Sequence, residues 1–457
     1  MPIDPTTTVH PANVLPGQPG QQGQRAEPSA TQPEKPAKAM SKTSAITAIT
    51  IGGALELYDS GVYNFFATLI IPLYFPVGNP LGQLLLSFGT FGAGYVMRPL
   101  GGLIIGRYAD RRGRKPAVLL SMWLMAISAL ILVLTPPYAQ LGVLAPTLMI
   151  LARLVQGFAI GGEMGSATAM LMEYADDKSR GFYTSWQTAS QGVAAVFAAL
   201  VALALTNWLP PQALESWGWR VAFLIGIAVI PVGQVIRRRL EETLPVAENK
   251  KAGKPKGGWK LMREHSRELS ASILLMIGLA AAIHLIAYYL PNYATFQLHI
   301  PRGQAVWAGF VAAAVMVVFG PIAGLLTDRL GRRRVVWWTR VALLVMAYPA
   351  FIIINAYPSL PCLLIVVGLL AVPMAMTSPA TLVLVSEVLP QRLRATGMAV
   401  TYYLAIAVFG GFAQLFSTLL IHLTSSPNAP ALYLICCGLV SLLGLRMVPE
   451  TRGKRLG

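Results

Sequence analysis

Two long stretches without a charged side chain constrain the fold of this chain more than any other feature. Residues 117–152 and 395–445 contain no Asp, Glu, Lys or Arg. Each stretch is longer than the roughly 20 apolar residues that one helix needs to cross a bilayer. Only 12% of the 457 residues are charged, whereas a soluble globular protein averages about 25%. The sequence therefore predicts an integral membrane protein, with the lipid bilayer as its surroundings.

Twelve apolar segments of about bilayer length follow one another along the chain. Turn residues divide the uncharged stretches, as in "TPPYAQLG" after the third segment and "TSSPNAP" after the eleventh. Backbone polar groups in lipid must be satisfied within the protein, and the period-two alternation of a barrel is absent. We therefore predict an all-α protein with spans near 45–73, 82–105, 117–135, 146–170, 182–206, 218–236, 270–290, 304–326, 335–354, 361–385, 397–421 and 429–447.

The formal net charge of +17 comes mostly from loops that follow even-numbered spans. Loops after odd-numbered spans contain almost no Lys or Arg, with Arg302 as the exception. Lys and Arg collect in cytoplasmic loops, so this pattern predicts that both termini are cytoplasmic. The charge therefore does not imply a nucleic-acid partner. The cationic clusters lie at 107–115, 237–260, 329–334, 392–394 and 452–455.

A repeated motif divides the chain into two similar halves. "GRYADRRGRK" (106–115) follows the second span, and "GLLTDRLGRR" (324–333) follows the eighth, 218 residues later. A second repeat places a glutamate seven residues before an arginine after spans four and ten, 214 residues apart. Two repeats at equivalent positions predict two units of six spans. We expect a disordered tail at 1–42, bundles at 43–236 and 269–448, a cytoplasmic linker at 237–268 and a tail at 449–457.

The first 40 residues differ in composition from the rest of the chain. Residues 1–40 are polar and contain eight prolines, which is typical of disorder. "MSKTSAITAITIGG" leads directly from Met40 into the first span, so we expect the native start at Met40.

Several further motifs make the chain resemble the major facilitator superfamily, and within it the metabolite–proton symporters. They are "ELYD" (56–59), "MRPLGG" (97–102), "RLVQGFAIGGE" (153–163), "RGFYTSWQTASQ" (180–191) and "PETRG" (449–453), together with the repeated motif. "GFYTSWQTASQ" and "AIAVFGG" (405–411) are most similar to citrate and tricarballylate symporters; α-ketoglutarate, shikimate and proline/betaine permeases are more distant. The resemblance implies twelve transmembrane helices in two pseudo-symmetric six-helix bundles. The chain departs from the family pattern at Leu57 and Ser60, where aromatic residues are usual.

Charged residues inside spans are costly and by default mark function. Glu56 and Asp59 are three residues apart on the first span and share a helix face. Two carboxylates this close disfavour double ionisation, so one of them can load and release a proton. We expect Glu56, Asp59 and Arg153 to couple transport to protons, as the family's fourth-span arginine implies. The alternative is that the acids are structural partners of Arg98 or Arg153.

A second group of polar residues in the spans is predicted to bind the substrate. Arginine grips a carboxylate with two nitrogens, which suits an anionic substrate. Amides and a histidine inside a span must find partners, either across a wet cavity or between helices, and both readings stay open. "YYLPNY" (288–293) is predicted to break the seventh helix at Pro291, as suits a gate. The predicted substrate residues are Arg153, Arg98, Tyr58, Gln187, Gln191, His284, Tyr288 and Asn292.

The repeated charged motif is predicted to be a gate. In the family it is implied to latch the cytoplasmic side through ion pairs with neighbouring helix ends. We expect Asp110 to hold Arg180 and to cap the positive end of a helix, with Gly113 permitting a tight turn. The predicted gating residues are Gly106, Asp110, Arg111, Gly113, Arg114, Arg180, Asp328, Arg329, Gly331, Arg332, Glu387 and Arg394.

Other classes of function have little support in the sequence. The three cysteines show no metal-ligand spacing, and no Walker, GxSxG or HExxH motif is present, so we expect neither an enzyme nor a metal or cofactor. The resemblance implies uptake of a small organic acid, such as citrate, together with protons by a monomer. Symport of proline or betaine needs fewer cations, and only Arg98 and Arg153 lie well inside the predicted spans. Drug–proton antiport is a third reading. A transporter-like sensor would usually carry a cytoplasmic signalling module, for which the 32-residue linker and the short tail leave no room.

Overall fold

The computed structural model of this chain describes residues 58–67, 69–76, 79–112, 114–161, 175–176, 178–227, 262–390 and 393–453. These residues form helices joined by short turns, without a strand among them. Some sequence predictions lie outside the described residues: the tail at 1–42, Glu56, Gly113, most of the linker, and the side chains of Asp110, Arg111 and Arg114.

Six helices of the first half, apart from short helical turns, lie within the described residues and are numbered here in chain order. Asn79 caps the second helix, because its side-chain oxygen accepts a hydrogen bond from the backbone of Gly82 and Pro80 follows in the first turn. The second helix has a break at Met97, within the predicted span. The helices are α1 (58–74, of which residue 68 is not described), α2 (Pro80–Val96 and Arg98–Arg112), α3 (Arg114–Leu134), α4 (Leu144–Gly161), α5 (Arg180–Trp208) and α6 (219–227).

The second half again contains six helices in the described residues. They are α7 (Ser266–Phe296), α8 (Arg302–Leu330), α9 (Arg332–Ala356), α10 (Leu360–Val388), α11 (Arg394–Ala405, continuing through Ile406–Gly410 to Ala413–Thr424) and α12 (Ala429–Met447). Among the described helices, α4, α5 and α7–α12 are long and apolar enough to cross a membrane. The helix boundaries extend beyond the predicted spans where charged or polar residues form the first turn, as at Ser266.

The predicted break at Pro291 is wrong, because α7 continues through this proline to Phe296. A π-helical turn at His284–Tyr289 comes directly before it, and the backbone N–H of Leu290 donates to the carbonyl of Leu285. Proline lacks an N–H and its ring crowds the carbonyl four residues earlier. In the wider π turn the backbone N–H bonds to the carbonyl five residues earlier instead of four. The helix therefore continues through the proline instead of ending there.

A pair of tyrosine contacts reproduces the sequence repeat in space. The Tyr74 hydroxyl at the end of α1 donates to the carbonyl of Thr135 after α3, at 2.7 Å. The Tyr293 hydroxyl in α7 donates to the side-chain oxygen of Asn355 in α9, also at 2.7 Å. The tyrosines are 219 positions apart and their acceptors 220, close to the offset of 218 between the repeated motifs. Both halves therefore tie their first helix to their third in the same way.

The two halves meet along helices from each side. In the first half, α5 packs along α8 and α10, and α2 packs along α11. We call the end of the protein where α2 meets α3 and α8 meets α9 the motif end, and the end where α1 meets α2 and α7 meets α8 the far end. At the motif end α5 and α8 touch backbone to backbone, since a Cβ on Gly181 would lie 2.6 Å from the Gly324 carbonyl oxygen.

Candidate functional site

A buried acid, amide and guanidinium lie in a row between α1 and α4. The side chains of Asp59, Gln156 and Arg153 are each at most 3% exposed. Gln156 Nε2 donates to Asp59 Oδ2 at 3.2 Å, and Arg153 Nη1 donates to Gln156 Oε1. The acid and the guanidinium therefore share one amide between them. We call this set of three residues the Asp59 centre.

The Asp59 centre has polar atoms with no partner among the described residues. They are Asp59 Oδ1 and the Nε and Nη2 atoms of Arg153. The guanidinium of Arg153 lies 3.3 Å above the ring of Tyr63 on α1, so a cation–π contact holds its face while two of its nitrogens stay unused. A buried guanidinium in this state is able to bind a carboxylate.

Glycines place the helices that carry these residues. A Cβ on Gly157 of α4 would lie 1.6 Å from the carbonyl oxygen of Gly94 on α2, so the two backbones touch there. This contact lies one residue after Gln156 and presses α4 against α2. On the other side, a Cβ on Gly226 of α6 would lie 2.4 Å from Asp59 Oδ1. The backbone of α6 therefore closes one side of the acid.

Two of the predicted substrate residues lie close to the Asp59 centre without joining it. The Tyr58 hydroxyl donates to the carbonyl of Ala222 on α6 at 2.9 Å, and its ring packs on Phe197 of α5. Arg98 is buried on α2, and its guanidinium lies 3.8 Å from the ring of Tyr95. Arg98 thus resembles Arg153: both are buried arginines whose guanidinium groups lie over a tyrosine ring.

A cluster of three amides connects the two halves. Asn64 on α1, Asn292 on α7 and Gln414 on α11 are each at most 5% exposed. Gln414 Nε2 and Asn292 Nδ2 donate to Asn64 Oδ1 at 2.8 and 3.3 Å. Asn64 Nδ2 donates to the backbone carbonyl of Tyr288 at 2.9 Å, and Asn292 also donates to Gln414 Oε1. We call this set the amide cluster; it brings the predicted Asn292 together with two residues that sequence reasoning missed.

The other predicted substrate residues line the contact between the halves. His284 is buried, its Nδ1 lies 2.9 Å from the Ala280 carbonyl of its own helix, and its ring meets Tyr95 edge-on. Tyr288 is half-buried one turn further along α7. Gln187 is buried and Gln191 half-buried on α5, near the point where Thr188 bonds Ser378 of α10 at 2.9 Å.

An ion-pair network joins the halves at the motif end. Arg180 Nη1 and Arg332 Nε lie 3.1 Å from the carboxylate oxygens of Glu387, and all three side chains are buried. Asp328 accepts hydrogen bonds from the backbone of Gly181 and Phe182, each at 2.9 Å, and so caps the start of α5. The side chain of Asp110, for which we expected these roles, lies outside the described residues; among those described, Asp328 of the second motif provides a cap for α5, and Arg180 contacts Glu387.

The tail that follows α12 completes this network. Glu450 accepts from the backbone N–H groups of Arg332 and Arg333, at 3.0 Å each, which caps α9. Gly331 has a φ of +103°, and a Cβ there would lie 2.9 Å from Glu450. The glycine of the second motif is therefore needed for both its backbone conformation and the close approach of Glu450.

Three further gating residues lie outside these contacts. Arg394 donates to the Ser386 carbonyl at 2.9 Å, Arg329 is exposed, and a Cβ on Gly106 would meet nothing within 4 Å.

Sequence reasoning also missed residues whose signal was weak. Gln156 lies inside the "RLVQG" motif, but a single glutamine in a span is an ordinary packing residue. Asn64 and Gln414 lie far apart in the sequence, and only the fold brings them together. Arg340 on α9, near the start of the predicted span 335–354, was not among the predicted site residues, and its side chain is 1% exposed. It was overlooked because it lies close to the cationic start of α9.

The comparisons with known proteins agree on one family. A family model described as the Major Facilitator Superfamily matches residues 49–414 and 272–456. A citrate–proton symporter of Salmonella typhi is 33% identical over 400 residues, covering 88% of this chain and 92% of the relative. A proline/betaine transporter of Escherichia coli K12 is 30% identical over 424 residues, covering 89% and 83%. The solved structure of the proton:xylose symporter XylE bound to 6-bromo-6-deoxy-D-glucose has a TM-score of 0.72 at 17% identity, covering 91% of this chain and 97% of XylE.

Proposed function

Because this chain belongs to the major facilitator superfamily, we propose that it is a symporter that takes up citrate or a related di- or tricarboxylate together with protons. It is a proton-coupled, multi-pass transporter of the bacterial inner membrane and not an enzyme. The citrate–proton symporters that it resembles support the choice of substrate class.

The Asp59 centre is the observation that carries this proposal. It places a carboxyl group in one buried unit with a guanidinium of which two nitrogens have no hydrogen-bond partner in the described part of the chain. Charged groups inside a membrane span are costly and mark ion or substrate pathways. In the proposed mechanism Asp59, together with Glu56 three residues earlier in the sequence, carries the proton. Arg153 binds a carboxylate of the substrate, and Arg98 provides a second buried cation.

Contacts at both ends of the protein support an alternating-access cycle. The amide cluster joins the halves towards the far end, and the network of Arg180, Asp328 and Glu387 joins them at the motif end. If the halves rock about the central site, each set of contacts breaks in one of the two open states. Lys and Arg collect at the motif end, so we propose that this end is cytoplasmic.

Tyr58, Gln187, Gln191, His284, Tyr288 and Asn292 remain proposed substrate-binding residues. The buried residues among them already have contacts within the protein, so binding requires these contacts to exchange with the substrate. This exchange is least costly for the amides, because a carboxylate accepts the hydrogen bonds that a neighbouring amide oxygen accepted before.

Symport of a zwitterion such as proline or betaine is the second candidate, which the relatives of that class support. A zwitterion carries its own cation and needs an acid beside the guanidinium. The pair of Asp59 and Arg153 meets this need. The two candidates differ in how many cations must contact the substrate.

Uptake by the purified protein in proteoliposomes tests the proposal. We expect an imposed inward proton gradient to drive accumulation of citrate but not of betaine. Asp59→Asn should abolish the gradient-driven accumulation and keep citrate exchange, because the proton carrier is lost while Arg153 remains. Undiminished proton-driven uptake by Asp59→Asn would remove Asp59 from the mechanism, and uptake of betaine instead of citrate would select the second candidate.

A further inference from the structure

Gln156 separates the two charges of the Asp59 centre. Asp59 and Arg153 do not form a direct ion pair, and each bonds to a different end of the same side-chain amide. All three side chains are at most 3% exposed, so bulk water screens their charges little. In a low-dielectric interior an aspartate and an arginine that share one bridging amide attract each other strongly. The lack of a direct contact between these two charges therefore requires a structural cause.

We infer that Gln156 is the positioning residue that keeps Arg153 available for the substrate and transmits the protonation state of Asp59 to it. This inference rests on the proposed function, because it assigns how the proton and the anion act on each other at that site.

The amide has the right polarity for this role. Its oxygen accepts from the guanidinium and its nitrogen donates to the carboxylate, so both ends carry charge-assisted bonds. While Asp59 is ionised, the amide is held between two charges. When Asp59 takes up a proton, the bond to Gln156 Nε2 loses its charge assistance. Arg153 is then a buried cation without a nearby anion, which favours binding of a substrate carboxylate.

The surrounding residues leave Gln156 as the link between the two charges. Among the described residues, the titratable and charged side chains around the centre are Tyr58 and Tyr63 on α1, Tyr95 and Arg98 on α2, and Arg153 on α4. The α6 helix faces Asp59 with Gly226, which has no side chain. Tyr58 is engaged with Ala222, and Tyr63 lies below the guanidinium rather than between the charges.

The test replaces the amide by an apolar side chain of similar size. In Gln156→Leu the guanidinium of Arg153 is free to pair directly with Asp59. The paired acid is then unavailable to the proton, and the paired guanidinium is unavailable to the substrate. We expect the KM for citrate to rise at least tenfold while the amount of folded protein stays unchanged. Ser128→Ala is the matched control, since Ser128 is buried in the same half and bonds only to Met125 of its own helix in the described residues.

A double variant distinguishes positioning from packing. Asp59→Asn in the Gln156→Leu background removes the acid that traps Arg153. We expect citrate binding, measured by isothermal titration, to return to within about threefold of Asp59→Asn alone and to be independent of pH. A purely structural role predicts that the double variant is no better than Gln156→Leu. That result, or an unchanged KM in Gln156→Leu, would overturn the inference.

A spectroscopic measurement keeps the test independent of the substrate. The C=O stretch of a protonated carboxyl group, assigned with Asp59→Asn, reports the protonation of Asp59 in difference infrared spectra. We expect Gln156→Leu to move the pH midpoint of this band by at least about one pH unit, a tenfold change in proton affinity, and Ser128→Ala to leave it in place. An unmoved midpoint in Gln156→Leu contradicts the inference even if citrate is not the substrate, whereas a moved midpoint without citrate uptake by the unaltered protein counts against the proposed function alone.

Discussion

Loss of the Asn64 side chain should open the far end of the protein. Asn64 takes part in three hydrogen bonds between the halves, with Gln414, with Asn292 and with the Tyr288 carbonyl. Side-chain hydrogen bonds between membrane helices average about 0.6 kcal/mol each, so three of them contribute about 2 kcal/mol. This free energy corresponds to roughly a 20-fold change in the balance between the closed and open far end. We therefore expect Asn64→Ala to reduce the ratio of closed to open far end by that factor.

The assay uses two positions that approach each other across the halves at the far end. A Cβ on Gly303, at the start of α8, would lie 3.9 Å from the side-chain oxygen of Asn207 at the end of α5. Cysteines introduced at both positions, in a protein whose native cysteines are replaced, should form a disulfide when the far end closes. We expect the initial rate of disulfide formation to fall up to 20-fold in Asn64→Ala.

A matched amide inside one half provides the control. Asn355 donates to Phe351 and to Asn428 and accepts from Tyr293, and all of these partners belong to the second half. Asn355→Ala should lower the thermal stability of the protein but leave the rate of disulfide formation unchanged. If Asn64→Ala does not slow the reaction, or if Asn355→Ala slows it equally, the amide cluster does not hold the far end closed.

Three further predictions concern the packing of the helices and the network at the motif end. Arg180→Ala and Glu387→Ala should be non-additive by roughly 0.5–3 kcal/mol in a double-mutant cycle of unfolding, because the two side chains form an ion pair; additive losses would contradict a direct contact. Gly157→Ala should prevent recovery of folded protein in size-exclusion chromatography, whereas Gly106→Ala should not, because only the first added Cβ meets a backbone oxygen. Equal yields would contradict this packing. Gly331→Ala should lower the unfolding free energy by about 1–3 kcal/mol, owing to its φ of +103°, and an unchanged thermal midpoint would refute that cost.

The sequence was sufficient for the helical architecture and for the family, since both depend on signals that are local along the chain. Apolar length located the helices, and the paired motifs revealed the two halves before any contact was known. Hydropathy failed where a helix contains an unusual residue: Pro291 reads as a break, yet a π turn accommodates it. Arg340 was missed for a similar reason, because its position beside a cationic loop hides that its side chain turns inward.

The candidate site was only half predictable, because its members are joined by the fold. Asp59 and Arg153 are unusual in a span and so were identified, although the direct pairing considered for them is replaced by a shared amide. Gln156, Asn64 and Gln414 are uncharged, and nothing in the sequence distinguishes an amide at an interface from one on a packing face. Such residues become recognisable only when their partners are seen.

The first helix connects the proposed proton site to the contact between the halves. Asp59 and Asn64 are five residues apart on α1, which places them about 7.5 Å apart along the helix axis and about 140° apart around it. Asp59 therefore faces α4 and α6 of its own half, while Asn64 faces α7 and α11 of the other half. Tyr63, beside Asn64, lies against the guanidinium of Arg153. A helix moves largely as a rigid body, so if protonation of Asp59 shifts α1 in the proposed cycle, Asn64 is displaced with it. The helix α1 therefore carries one residue of the Asp59 centre and one of the amide cluster. A variant that uncouples the two sites should retain both of them while losing proton-driven accumulation.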